Sequence, residues 1–164
     1  MTDFAGLVHA LVDAEVECIL VGGVAATIHG SARLTRDVDV VYSRRPENIA
    51  RIVTALTPFD PYLRGAPSGL PFRLDEATVA AGLNFTLTTT LGDIDLLGEI
   101  VGGGAFDDLR PHARLVHIFE RQMSCLTLPM LIQVKRAAGR PRDLEVVAEL
   151  EAIAEELERL DNRS

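Results

Sequence analysis

The stretch LVGGVAATIHGSARLTRDVDVVYSRR, residues 20–45, sets a glycine pair directly behind an apolar run and, fourteen positions after the second glycine, two aspartates separated by one valine. DVDVVYS alternates polar and apolar residues as a half-buried strand does, so Asp37 and Asp39 leave the same face with Cβ atoms about 7 Å apart, while Val38, Val40 and Tyr42 point into a core. Two carboxylates on one face repel each other unless a counter-charge sits between them, and a divalent cation removes that penalty. An isolated Asp-x-Asp is more often a solvated strand face, here paired with Arg33, Arg36 or Arg44, and this stretch alone leaves that reading ahead.

Distant sequence adds weight to the cation. GDIDLL repeats the arrangement, with Asp93 and Asp95 on one face and Ile94 and Leu96 on the other. Carboxylates gathered on adjacent strands are costly without a cation, and magnesium suits them because it takes a few hard oxygen ligands and fills its octahedron with water and substrate phosphate. The glycine pair offers the complementary half of a phosphate site. A glycine turn from strand into helix exposes backbone N–H groups where no Cβ blocks close approach.

The remaining pattern predicts a single α/β domain over residues 1–164, with a core about residues 18–126 and C-terminal helices about 128–161. A first helix is expected over residues 3–14 with Thr2 as its cap, a buried strand from Cys18, and a short helix over 24–29 closed by Gly30. Pro46 starts the next helix, to about Leu56. Residues 57–71, with four prolines and two glycines, read as a loop. A short helix over 75–81 precedes two strands joined around Leu91 and Gly92. VGGGA reads as a flexible loop, and LVHIFE and MSCLTL as two further strands. From Leu128 onward the pattern is helical, interrupted at Gly139 and restarted by Pro141. Leu144, Val147, Leu150, Ala154 and Leu157 form the apolar stripe of the last helix.

Charge and composition bound the function. The net charge of −8 argues against a surface that coats nucleic acid, and residues 141–164, with eight acids against three arginines, supply −5 of it. Cationic residues gather around the aspartate pair (Arg33, Arg36, Arg44, Arg45) and in a second group of Lys135, Arg136, Arg140 and Arg142. Cys18 and Cys125 read as buried thiols, and the four histidines lack zinc-site spacing. His29 and His117 read as structural. No apolar run is long enough to span a membrane and the N-terminus lacks the pattern of a signal peptide, so a cytoplasmic location is expected.

LVGG followed by TRDVDVV resembles the signature of the DNA polymerase β-type nucleotidyltransferase superfamily. Together, HGSARLTRDVDVV, LGDIDLLGEI and LIQVKRAAGRPRDLEVVAELEAI are similar to small bacterial nucleotidyltransferases related to the abortive-infection and toxin-antitoxin type. The resemblance covers about residues 18–153 and implies a nucleotidyltransferase fold: a short mixed sheet flanked by helices, with a C-terminal helical segment. It implies that Asp37, Asp39 and Asp95 bind Mg²⁺ or Mn²⁺ and carry catalysis, and that Gly22 and Gly23 hold the phosphates of a nucleoside triphosphate. Asp95 is preferred to Asp93 because it matches the block. Arg33 and Thr35 fall in the R-x-T-x-D-x-D arrangement, with Arg33 implied on phosphate and Thr35 fixing the loop. Lys135 is implied on the triphosphate with Asp143 orienting it, and Arg140 is a weaker candidate. For each of these a purely structural role stays open.

The implied reaction moves a nucleoside monophosphate to a hydroxyl. The favoured acceptor is an RNA, such as the 3′ end of tRNA, in a toxin-antitoxin-like setting, ahead of a protein hydroxyl in a partner and a small molecule. A homodimer or cognate partner would complete the acceptor surface. Gly23 stands where such proteins often carry serine, and some small members have lost activity, so a non-catalytic binding module is the alternative. Convergence of Asp37, Asp39 and Asp95 supports catalysis; an arginine filling the triad favours a retired site.

Overall fold

The computed structural model of the chain describes residues 1–163. In chain order the elements are α1 (Phe4–Asp13), β1 (Cys18–Val21), α2 (Gly22–Ile28), β2 (Asp37–Tyr42), α3 (Pro46–Leu56), β3 (Tyr62–Leu63), α4 (Glu76–Ala81), β4 (Phe85–Thr89) and β5 (Gly92–Leu97). They continue with β6 (Glu99–Ile100), β7 (Gly104–Ala105), α5 (Phe106–Leu109), β8 (Ala113–Ile118), β9 (Arg121–Leu126), α6 (Leu128–Ala138) and α7 (Pro141–Asn162). One mixed sheet runs β3-β4-β5-β2-β1-β9-β8, and β6 and β7 form a separate small hairpin. A mixed sheet flanked by helices and ending in a helical segment is the architecture expected from the sequence.

The sheet's centre follows from hydrophobic content. All four residues of β1 are buried, as a strand covered on both faces requires. β2 buries Val38, Val40 and Tyr42 and keeps Asp37 and Asp39 on its other, half-buried face. β1 and β2 run antiparallel, with Val21 opposite Asp39, whereas β2 and β5 run parallel with Asp37 opposite Asp93 and Asp39 opposite Asp95. That register brings both acidic dyads side by side. Where β1 enters and β2 leaves, the fully buried Asn48 of α3 uses its whole amide: Nδ2 donates to Glu17 O and Ser43 O, and Oδ1 accepts from Glu17 N.

Several expectations need correction. α1 begins at Phe4 because the Asp3 carboxylate, not Thr2, caps it by accepting from Gly6 N. The Thr2 hydroxyl instead donates to Arg36 O, just before β2. α2 starts at Gly22, two residues earlier than the periodicity predicts. Residues 57–71 are not all loop: Tyr62 and Leu63 pair with Thr88 and Leu87 as an edge strand. VGGGA contributes Gly104 and Ala105 to a hairpin with Glu99 and Ile100, and is not a free loop. On α7 the buried residues are Asp143, Val147 and Leu150; Leu144 and Leu157 are exposed, so the packed face is rotated away from the expected stripe.

Candidate active site

Asp37, Asp39 and Asp95 converge: one carboxylate oxygen from each lies within 4.8 Å of the other two. Among the described residues this is the one such group of three. Strand alternation supplies the common face and the parallel β2–β5 register supplies the proximity. Burial resists ionisation of Asp39, and the charges of Asp37 and Asp95 add to that, so its carboxyl is pushed up to about 8. Asp95 is also raised, by burial first, against the opposing pull of Arg64 and with the added push of Asp37. Asp39 Oδ1 is buried with no hydrogen-bond partner. Such an orphaned oxygen, on a carboxylate flanked by two others, calls for a cation.

The expected arginine partners are elsewhere. Arg33 pairs with Glu145 and Glu149 of α7, and Arg44 donates to the Tyr42 hydroxyl and to the carbonyls of Val79 and Ala80. The cation beside the aspartates is Arg64, from the proline-rich segment whose sequence predicts a loop. Its Nη2 lies 2.8 Å from Asp95 Oδ1, its Nε 3.3 Å from Asp93 Oδ2 and its Nη1 3.9 Å from Asp37 Oδ2. Nη2 also donates to Leu87 O at 2.7 Å. Neither Arg64 Nε nor Asp95 Oδ1 gains an aligned hydrogen bond, so these contacts are ion pairs without the paired fork of a locked arginine–carboxylate bridge. Nothing in the spacing of residues 57–71 signals this arginine, because its placement depends on the pairing of β3 with β4.

The glycines stand where the sequence put them. Gly22 has φ +67° and its missing side chain leaves room for the Asp39 carboxylate, which a Cβ would overlap. Gly23 lies under Thr35, whose hydroxyl occupies the space that a side chain at residue 23 would need and donates to Asp37 O at 3.2 Å. The absence of serine at position 23 thus has a steric reason. A threonine from the approach to β2 supplies a hydroxyl there instead.

The second cationic group gathers at the α6–α7 junction, where Gly139 at φ +68° ends α6 in the left-handed conformation favoured at helix ends. Asp143, 2% exposed, accepts from Arg140 Nε at 2.6 Å and lies 3.8 Å from Lys135 Nζ. Burial alone would raise its carboxyl, but the hydrogen bonds and charge of Arg140, with the charge of Lys135, outweigh it and hold the group below the ordinary value. Arg140 is raised chiefly by its bond to Asp143, with a further contribution from Asp39. The junction therefore lies within electrostatic reach of the triad.

A depressed folded pKa contributes stability above the unfolded value near 4, lost as pH falls through the folded value. Asp143→Asn is accordingly expected to cost about 2 kcal/mol at neutral pH, and less below about pH 4. Chemical denaturation at both pH values checks this; an equal cost at both would show that packing, not charge, holds the junction.

An open groove of about 430 Å³ lies elsewhere, between the end of α1, the start of β1 and strands β8 and β9. It includes none of the triad. Cys18, on its wall, and Cys125 are free and buried, and burial pushes each thiol up to about 12. His29 Nε2 contacts Leu126 O at 2.7 Å in a structural role. No helix among the described residues is long and apolar enough to cross a membrane.

No family model matches the chain, and no curated protein is similar to it. Solved structures do match. One is the lincosamide antibiotic adenylyltransferase LnuA bound to lincomycin, at TM-score 0.58 and 13% identity, covering 90% of this chain and 93% of that one. Another is a candidate nucleotidyltransferase, TM1012 from Thermotoga maritima, at TM-score 0.54 and 14% identity, covering 87% of this chain and 86% of that one. At these identities the likeness is one of fold.

Proposed function

We propose that the protein is a divalent-metal-dependent nucleotidyltransferase that moves a nucleoside monophosphate from a nucleoside triphosphate to a hydroxyl. The observation that carries this reading is the convergence of Asp37, Asp39 and Asp95 around the orphaned Asp39 Oδ1, beside the Gly22 turn. Three carboxylates with oxygens this close suit Mg²⁺ or Mn²⁺, which prefer hard oxygen donors and keep sites for water and phosphate. When bound, the cation would polarise the α-phosphate and lower the pKa of the attacking hydroxyl.

The chain's own residues would do the rest. Backbone amides of Gly22 and Gly23 would face the phosphates, and Thr35, donating to Asp37 O, would fix the loop before β2. Lys135, oriented by Asp143, and Arg140 offset the charge of the departing pyrophosphate. The acceptor oxygen bonds to the α-phosphorus as the α–β bridging oxygen leaves, and the acceptor proton passes to Asp95 and on to solvent. Arg33, engaged by α7, would hold the loop before β2 and not the phosphate.

For the acceptor, the motif resemblance favours an RNA 3′ end such as that of tRNA, in a toxin-antitoxin-like setting, with a partner's hydroxyl next and a homodimer or cognate protein completing the surface. A small hydroxyl compound gains support from LnuA, whose bound ligand is lincomycin and of which this chain covers 93%. The −8 net charge also favours a small acceptor over a polyanion. The arginine beside the triad favours a different reading, a binding module without turnover.

Incubation with each labelled nucleoside triphosphate, Mg²⁺, total tRNA, lincomycin and any protein encoded beside this one separates these readings. Label is expected on a hydroxyl acceptor. Label on tRNA or on lincomycin decides which acceptor stands, and nucleotide binding with no transfer to any of them would leave the binding module as the function.

A further inference from the structure

We propose that Arg64 is a displaceable counter-ion of the metal site: it occupies the Asp95 arm of the triad in the cation-free protein and withdraws onto Asp93 when a divalent cation binds. This rests on the metal-dependent reading above and extends it to a residue outside the resemblance.

Asp95 Oδ1 is 2.8 Å from Arg64 Nη2, so the guanidinium competes for a carboxylate that a cation shared with Asp37 and Asp39 would need. One guanidinium cannot balance four carboxylates. It reaches Asp37, Asp93 and Asp95 and leaves Asp39 Oδ1 unpartnered. A place to withdraw to already exists. Asp93 shares the face of Asp95, lies outside the converging triad and holds Arg64 Nε at 3.3 Å. Movement between the two is a shift of the guanidinium that gives up the Nη2 contact to Asp95 and disturbs the Nη2 bond to Leu87 O. Neither carboxylate locks the guanidinium: Asp95 Oδ1 has no aligned hydrogen bond from it, and neither does Arg64 Nε toward Asp93. Arg64 follows a two-residue edge strand and its N donates to Thr86 O, so the backbone is anchored and the long side chain beyond it is the part that moves. The second acid of GDIDLL thereby acquires a use: Asp93 is a positioning residue that acts through Arg64.

Mn²⁺ titration without nucleotide, followed by electron paramagnetic resonance and calorimetry, tests the proposal without reference to turnover. Arg64→Met is expected to bind Mn²⁺ about tenfold tighter than wild type, because a competing cation a few ångströms away is gone. Removing a nearby positive charge would tighten binding in any case, so the decisive comparison is a cycle with Asp93→Asn. Asp93→Asn is expected to weaken binding strongly when Arg64 is present and clearly less when residue 64 is Met. Equal losses in both backgrounds, or no tightening in Arg64→Met, would overturn the counter-ion role while wild-type binding kept the metal reading intact. Should the Met variant not fold, Arg64→Gln repeats both arms with a polar neutral side chain. Absence of Mn²⁺ binding in wild type and the neutral variants would remove the metal reading, and this proposal with it.

Discussion

Asp39→Asn is expected to abolish nucleotidyl transfer, by at least about 10³-fold, while making the metal-free protein more stable. On the proposed reading, the loss follows from removing one ligand of a cation worth several kcal/mol to the transition state. The gain follows from the site itself. Burial and the neighbouring charges of Asp37 and Asp95 push the Asp39 carboxyl up to about 8. Because the folded state holds this proton more tightly than the unfolded chain does, stability falls as pH rises from about 4 toward 8. The neutral amide escapes that loss. In chelator, a stabilisation of about 1 kcal/mol, or about 2–4 °C in melting temperature, is expected above pH 8, shrinking toward pH 4. Thermal melts at several pH values, paired with the transfer assay, check both halves. A variant destabilised equally at every pH would identify Asp39 as a structural residue and sink the catalytic assignment.

Gly22→Ala is expected to lose both fold stability and metal binding. At φ +67° an L side chain costs about 1–2 kcal/mol. A Cβ there would also overlap the Asp39 carboxylate and lie 2.9 Å from Asp39 Cβ, so Asp39 must move out of the triad. The combined cost is about 3 kcal/mol, a fall of about 6–12 °C in melting temperature, with Mn²⁺ affinity lost alongside. Gly69→Ala is the control: its φ is +94° but nothing lies within 4 Å of the added carbon, so only backbone strain is felt. If the two variants cost the same, the tight fit of Asp39 against Gly22 is not what fixes glycine there.

Alternation made much of this legible before any coordinates. Val38, Val40, Ile94 and Leu96 are buried and the four aspartates share the other face, because a period of two leaves no freedom once one face is apolar. Convergence of the triad was not readable from alternation, which fixes parity but not which residue stands opposite which. The resemblance supplied Asp95, and the parallel register sets it opposite Asp39. Arg64 was out of reach altogether, since a two-residue strand flanked by prolines has no periodicity to detect. On α7 the pattern misled in the opposite way. Its stripe was drawn through Leu144 and Leu157, but Asp143 takes an inward position because Arg140 and Lys135 satisfy it there, and a buried acid is what a hydrophobic pattern skips.

The acid–apolar dyad of β5 repeats itself, and this bears on how the chain reaches its native pairing. A slip of two residues along β2 would bring Asp93 opposite Asp39 while still placing Ile94 on the core side, so hydrophobic patterning cannot reject the misaligned sheet. Discrimination must come from the turn. There Thr89 Oγ1 donates to Gly92 O and accepts from Leu91 N, Asp3 N donates to Leu91 O, and the Thr2 hydroxyl bridges Arg36 O and Asp93 N. These few bonds, at the starts of both acidic strands, act as the alignment mark for the whole site. An error in them would set the third carboxylate two residues out of place while leaving the alternation of the strand intact.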